Sequence, residues 1–236
     1  MLERVAAAKL IGTLAVITTR EPSDDPVIEI CNALKIPYFR GDTLDLLDRH
    51  YQAWQHFGKE AHAVVKIPSD CPLIDPRIID RVLDRFVTAP DKVDFLSNLH
   101  PQSYPDGNDV EVITAGALAM AWKEATKPIE REHTTSFFWD NPERFRIGNV
   151  LWEKGIDLSQ SFRWTLDFRE DYELIRAVYE TLSPEAPLFT VEDIVQLLED
   201  RPELRALNQK YLGDAWYQRH RHELKTMDAG TKTCVH

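Results

Sequence analysis

The chain has 236 residues and sets 28 Lys+Arg against 39 Asp+Glu, a formal charge of −11. With 43% hydrophobic and 28% charged residues it has an ordinary globular makeup, which excludes a mostly disordered chain. A pI near 5.2 argues against a general nucleic-acid binder, whose affinity comes from phosphate neutralisation, but leaves room for a small phosphate ligand held by a few cations and a metal ion.

In chain order, Leu2, Val5, Ala6 and Leu10 share one helical face, and Gly12 is expected to stop that helix. LAVITT (Leu14–Thr19) is a short β-branched run of the kind found in buried parallel strands. After the turn PSDDP, the residues Val27, Ile30, Cys31 and Leu34 give a second helical stripe, and IPYF (Ile36–Phe39) reads as a strand. Thr43 is the expected N-cap of a helix whose face carries Leu44, Leu47, Tyr51 and Trp54. AHAVVKI (Ala61–Ile67) is the clearest buried strand, and Ile78, Ile79, Val82, Leu83 and Phe86 define the helix after it. VDFLSN (Val93–Asn98) and DVEVIT (Asp109–Thr114) read as strands, followed by a helix over about 115–125 and a helical segment over 130–140. FRIGNVLW and RWTLD are expected strands, and the last third is mostly helix, including 172–181 and 191–198. Strands alternating with helices predict an α/β fold with a mainly parallel sheet flanked by helices. Residues 1–213 are expected to form a single domain, with about 99–152 as a lobe and 214–236 as a mobile tail.

Ligands of open α/β sheets gather at the carboxyl ends of strands. Asp70 stands just beyond AHAVVKI and offers the hard oxygen that Mg²⁺ takes, although a turn cap at Ser69 or Asp70 accounts for the same residues. Asp75 before Pro76 matches an N-cap followed by the first helical position. Asp167 ends RWTLD with Glu170 three residues on, which fits either a capping box or a second carboxylate on one ion. REHTT places Arg131, Glu132 and His133 beside two hydroxyls, a group able to grip a carboxylate or sugar hydroxyls, or a solvated helix face. Asp109 and Glu111 alternate onto one side of DVEVIT, as a ligand-facing pair or as a solvated edge. Asp48 and Arg49 sit on the helix after Thr43, where an intrahelical ion-pair network explains them.

GxSxG, HExxH, GxxxxGKS/T and GxGxxG motifs are absent, and the HxH of His220 and His222 is a weak metal candidate in the tail. Cys31, Cys71 and Cys234 are odd in number and form no CxxC, which argues against a disulfide scaffold and fits a reducing compartment. No apolar run approaches the roughly 20 residues of a membrane span, and MLERVAAAKLIG lacks a signal-peptide core. A soluble, cytoplasmic protein is expected.

Taken together, VITTREPSDDP, YFRGDTLDLLDRHYQA, VVKIPSDCPLIDP, YPDGNDVEVI, EREHTTSFFWDNPERFRIGNV and RWTLDFREDYELI resemble the spore-coat polysaccharide biosynthesis cytidylyltransferases, relatives of the acylneuraminate and deoxy-octulosonate cytidylyltransferases. The resemblance runs from about Met1 to Asn208 in unbroken order. It implies a nucleotide-diphospho-sugar transferase-like fold and transfer of CMP from CTP to an acidic or otherwise modified sugar for surface glycan synthesis. By that likeness Asp70 and Asp167 become Mg²⁺ ligands, and Asp48, Arg49 and Ser69 become nucleotide-side contacts. Asp109, Glu111, Arg131, Glu132 and His133 become sugar-side contacts, with His133 or a carboxylate taking the hydroxyl proton. Likeness alone also implies a homodimer acting on small nucleotide and sugar molecules, away from nucleic acid and membrane.

The same relatives begin with a strand and a loop of the type ARxxSxRLPGK ahead of the helix whose end MLERV resembles. Neither stands in this sequence. The likeness therefore implies that the first strand is missing from mid-sheet, so the strands at LAVITT and AHAVVKI either pair directly or keep open inner edges. A truncated chain with weak or no transferase activity is expected. The alternative is a non-catalytic sugar-binding or assembly protein on the same scaffold. A transferase using a nucleotide-sugar donor is less favoured, because SDCPLID and REHTT are present and DxD is not.

Overall fold

The computed structural model describes residues 1–89, 92–214 and 221–225. Its strands are β1 (Val16–Thr19), β2 (Tyr38–Gly41), β3 (Ala63–Lys66), β4 (Phe95–Ser97), β5 (Glu111–Thr114) and β6 (Ile147–Asn149). The helices are α1 (Leu2–Ala6), α2 (Asp25–Leu34), α3 (Leu46–Phe57), α4 (Pro76–Thr88), α5 (Ala115–Glu124), α6 (Pro128–Glu132), α7 (Thr135–Trp139), α8 (Arg169–Leu182), α9 (Val191–Asp200) and α10 (Pro202–Arg205).

The strands form two sheets. One is the parallel pair β1–β2, in register from Val16 opposite Tyr38 to Thr19 opposite Gly41. The other has the order β3-β5-β4-β6. Within it β3, β4 and β6 run the same way and β5 alone is reversed, pairing antiparallel with both neighbours. Among the described residues β1 pairs only with β2 and β3 only with β5. Each therefore keeps one edge with no strand beside it among the described residues.

Successive side chains of a strand face opposite sides of the sheet, and here that alternation separates two cores. Phe95 and Ile113 turn to one side, where Leu47 of α3, Leu118 and Ala121 of α5, and the aromatic run Phe137–Trp139 of α7 close over them. Leu96 and Val112 turn to the other, against Ile79 and Val82 of α4, Val178 of α8 and Ile194 of α9. Segment 99–152 supplies β5 and β6 to this sheet, so it shares the main layer rather than forming one of its own.

Several local expectations need correction. AHAVVKI is a sheet edge, and every residue of β3 is only partly buried because one side has no neighbouring strand. RWTLD is not a strand. Its backbone bonds go to loops instead: Trp164 N–H to the Asp106 carbonyl (3.0 Å) and Leu166 N–H to the Asp70 carbonyl (2.8 Å). The N-cap of α3 is Asp45, whose carboxylate accepts the Asp48 N–H (2.8 Å), whereas the Thr43 hydroxyl donates to Glu21. Helix α1 ends at Ala6, well before Gly12, because the N–H groups of Lys9 and Leu10 donate to Asp80 (2.7 and 2.8 Å). The segment 130–140 breaks into α6 and α7 at His133. The Asp75 cap appears as expected: its carboxylate accepts the Arg77 N–H (2.8 Å) and also the Val191 N–H (2.9 Å).

Candidate functional site

The loop after β3 is fastened at nearly every carbonyl. Arg4 is a buried arginine; its guanidinium donates to the carbonyls of Ile74 (2.9 Å), Leu73 (3.3 Å) and Phe189 (2.7 Å) and stacks over the Phe189 ring. The Tyr179 hydroxyl donates to the Pro72 carbonyl (2.7 Å). With Leu166 N–H on its own carbonyl, Asp70 is fixed beside the segment that carries Asp167.

A second loop, between β4 and β5, is set against the same place. The Asn98 amide donates to the Asn108 carbonyl (2.7 Å) and accepts the Val110 N–H (2.9 Å), while the Asn108 amide donates to the Pro105 carbonyl (3.0 Å). Gly107 sits at φ +104°, and a Cβ there would lie 2.7–2.9 Å from Trp164 and the Thr165 nitrogen. Only glycine permits both that conformation and so close an approach. The loop thereby brings Asp106 and Asp109 to Asp70 and Asp167.

The charges of this cluster do not cancel. Asp70, Asp106, Asp109, Glu111, Asp167 and Asp171 gather around two cations, Lys66 and Arg163. Burial, reinforced by the Asp167 charge, pushes the Asp70 carboxyl up. Asp106 rises to about 6 through burial, against the pull of Arg163, with Asp70 and Asp167 adding to the rise. Asp109 rises well above the carboxylate range through burial and the charges of Asp106 and Asp70. Such an excess of negative charge favours a bound cation.

Asp70 and Asp167 fit a hard divalent ion. Among the described residues Asp167 accepts from Arg163 at one oxygen, and the Asp70 carboxylate takes a long contact from the Cys71 thiol (3.6 Å). Among the described residues no set of three His, Cys, Asp or Glu forms a closed metal cage. Two carboxylates with open coordination positions match Mg²⁺, which keeps waters and shares phosphate oxygens.

Other expected site residues are placed differently. Glu111 is buried, with one oxygen on the Lys66 ammonium (2.7 Å) and the other accepting from Thr135, so both oxygens are engaged in tying β5 to β3 and α7. Arg131 is engaged as a strut: it donates to Asp45 (2.8 Å) and to the Trp122 carbonyl (2.7 Å), tying α6 to the cap of α3. Asp48 accepts from the Trp122 indole (2.7 Å) and Gln52 (3.1 Å), a packing role that the intrahelical reading only half describes. Arg49 faces Asp24, Asp42 and Asp45, and its Nε is buried without a hydrogen-bond partner among the described residues. Its neighbour His50 is buried and held neutral, lowered to about 3, and bonds the Leu46 carbonyl. Ser69 and Glu132 are exposed. His133 ends α6, two residues before the Thr135 that touches Glu111.

Of the predicted pair His220 and His222, the former lies outside the described residues and the latter is exposed. Part of the predicted tail is in place: Leu224 is buried and the Lys225 N–H donates to Asp140 (2.8 Å). No helix among the described residues is long and apolar enough to cross a membrane. Sequence reasoning missed Asp106, Lys66, Arg4 and Arg163 as members or supports of the site. The signal available for Arg163 and Asp106 was their place inside RWTLD and YPDGNDVEVI; Arg4 had none beyond being the one basic residue of α1.

Comparison with known proteins bears on the family and the fold. A family profile described as cytidylyltransferase matches residues 1–203. An uncharacterized protein of Methanocaldococcus jannaschii is 29% identical over 215 residues, covering 88% of this chain and 82% of that protein. The spore coat polysaccharide biosynthesis protein SpsF of Bacillus subtilis is 24% identical over 190 residues, covering 80% and 75%. The solved structure of a cytidylyltransferase from Leptospira borgpetersenii serovar Hardjo-bovis superposes with a TM-score of 0.80 at 29% identity, over 87% of this chain and 83% of that one. The fold is the expected nucleotide-diphospho-sugar transferase-like α/β type.

Proposed function

The chain belongs to the cytidylyltransferase family, and from that premise we propose that it transfers CMP from CTP to an acidic or otherwise modified sugar, in the synthesis of a surface glycan. The observation that carries the reading is the junction of two distant stretches, where Leu166 N–H meets the Asp70 carbonyl at 2.8 Å and sets Asp167 beside Asp70. In this reading Asp70 and Asp167 hold Mg²⁺. When bound, that ion neutralises phosphate charge and aligns the α-phosphorus for in-line displacement.

The chain's own groups do the positioning. A sugar hydroxyl attacks the α-phosphorus, pyrophosphate leaves, and the hydroxyl proton goes to His133 or to a carboxylate of the cluster. Arg49, with an unbonded Nε, offers a guanidinium to phosphate oxygens. Ser69 and Asp109 border Asp70 from two loops and face the substrates, while Glu111, Arg131 and Asp48 act by holding the walls in place.

The edges of β1 and β3 that have no strand beside them among the described residues support a further element of the proposal: the 236-residue chain transfers weakly unless another strand pairs there. Pyrophosphate release from CTP, measured for this chain and for an upstream-extended one with a nonulosonate or octulosonate acceptor, tests both points. Release that requires acceptor, is stronger in the extended chain and disappears in Asp70→Asn is the expected result. Sugar binding without CTP binding in either chain would replace it with the non-catalytic reading.

A further inference from the structure

Arg163 is buried, with its side chain 1% exposed. Its guanidinium reaches three acids from three segments. Nη1 approaches Asp106 (3.4 Å) in the β4–β5 loop, Nη2 donates to Asp167 (2.5 Å), and Nε and Nη2 donate to Asp171 (3.2 Å each) in the first turn of α8.

The acids are not equivalent. Both Asp171 oxygens are saturated: Oδ1 by Arg163 and the Asn208 amide (2.7 Å), Oδ2 by Arg163 and the N–H groups of Asp167 (3.0 Å) and Phe168 (2.9 Å). Asp171 therefore neutralises Arg163 and has nothing left for a ligand. Asp167 gives Arg163 only Oδ2, and its side chain is 40% exposed, so Oδ1 stays open.

We propose that Arg163 is a positioning residue for the cation site, holding one oxygen of Asp167 so that the other is presented beside Asp70. The inference rests on the reading of Asp70 and Asp167 as metal ligands. A planar fork can serve three carboxylates in three directions at once, which a lysine ammonium on a flexible stem does not reproduce. Ligating carboxylates that lose such a hydrogen-bond partner typically lose about 10–100-fold in metal affinity.

Charge alone predicts the opposite sign, since removing a cation from an acidic cluster should tighten metal binding. This makes Arg163→Gln informative, with Arg163→Lys as the conservative partner. Mn²⁺ is titrated into the full chain and followed by electron paramagnetic resonance, with and without CTP, alongside thermal unfolding. The expected result is that Mn²⁺ affinity falls by about 10–100-fold in Arg163→Gln and by less in Arg163→Lys. Val178→Ala, which loosens α8 by packing alone, lowers Tm and leaves Mn²⁺ affinity unchanged. Either arginine variant suffices if the other does not fold. Equal or tighter Mn²⁺ binding in the variants, with wild-type binding abolished by Asp70→Asn, overturns the positioning role and spares the metal reading. Failure of the wild-type chain to bind Mn²⁺ in both conditions overturns both.

Discussion

The β1–β2 unit and the four-stranded sheet differ in how far folding has buried them. In β1 and β2 only Thr18 and Gly41 are buried, and α2 sinks Cys31 while Val27, Ile30 and Leu34 stay exposed. In β4 and β5 all but Thr114 are buried, between two apolar layers. The acids of the candidate site hang on the well-buried piece, fastened by Arg4, Asn98, Asn108 and Arg163, all buried. Arg49 faces acids of the loops that follow β1 and β2. The acidic half of the site is thus built in by the core, while the half nearer β1 rests on marginal packing and an open strand edge.

Stability measurements distinguish the two regions. The largest contrast is expected for Phe95→Ala, which empties a wholly buried site stacked on Phe138 and should cost about 3–5 kcal/mol in urea unfolding. A smaller loss, about 1–3 kcal/mol, is expected for Gly107→Ala from its forbidden backbone conformation. That variant should also lower transfer by parting Asp106 and Asp109 from Asp167. Next comes pH. Native Asp106 keeps its proton up to about 6, against 3.8 ordinarily. Its protonation stabilises the native state fully below the lower value, and that contribution disappears as pH rises through the upper one. Between pH 4 and 6.5 the wild type should therefore lose on the order of 1–2 kcal/mol more than Asp106→Asn. The smallest effect belongs to the exposed stripe: Ile30→Ser should change stability by less than about 0.5 kcal/mol. In hydrogen exchange the amides of β1 and β2 should exchange well before those of β4 and β5; equal protection would remove the distinction.

Legibility in the sequence followed the same division. The strands at VDFLSN and DVEVIT and the helices α4, α5, α8 and α9 were readable because local periodicity and burial agree there. AHAVVKI is apolar enough for a central strand, yet whether it is central depends on which strand lies next to it, and that is not a local property. Asp75 was readable because a cap and a following proline are neighbours in sequence. Arg131 was not, since its partner Asp45 lies 86 residues away. RWTLD has strand composition, but the Asp70 and Asp106 carbonyls capture its N–H groups. That Asp70 and Asp167 each follow an apolar run could be read from the sequence. The arginine among them could not, because a buried cation is recognised only by the acids that surround it.

In the proposed reaction Asp70 and Asp167 act together on one divalent ion during nucleotidyl transfer. This joint action is tested most directly by acceptor-dependent pyrophosphate release from CTP in Asp70→Asn, Asp167→Asn and the double variant, each made in the upstream-extended chain and checked by thermal unfolding. Each single variant is expected to lose at least about 100-fold, the double variant to lose little more than either, and all to remain folded. Single variants that retain activity, or losses that simply multiply in the double variant, would contradict it.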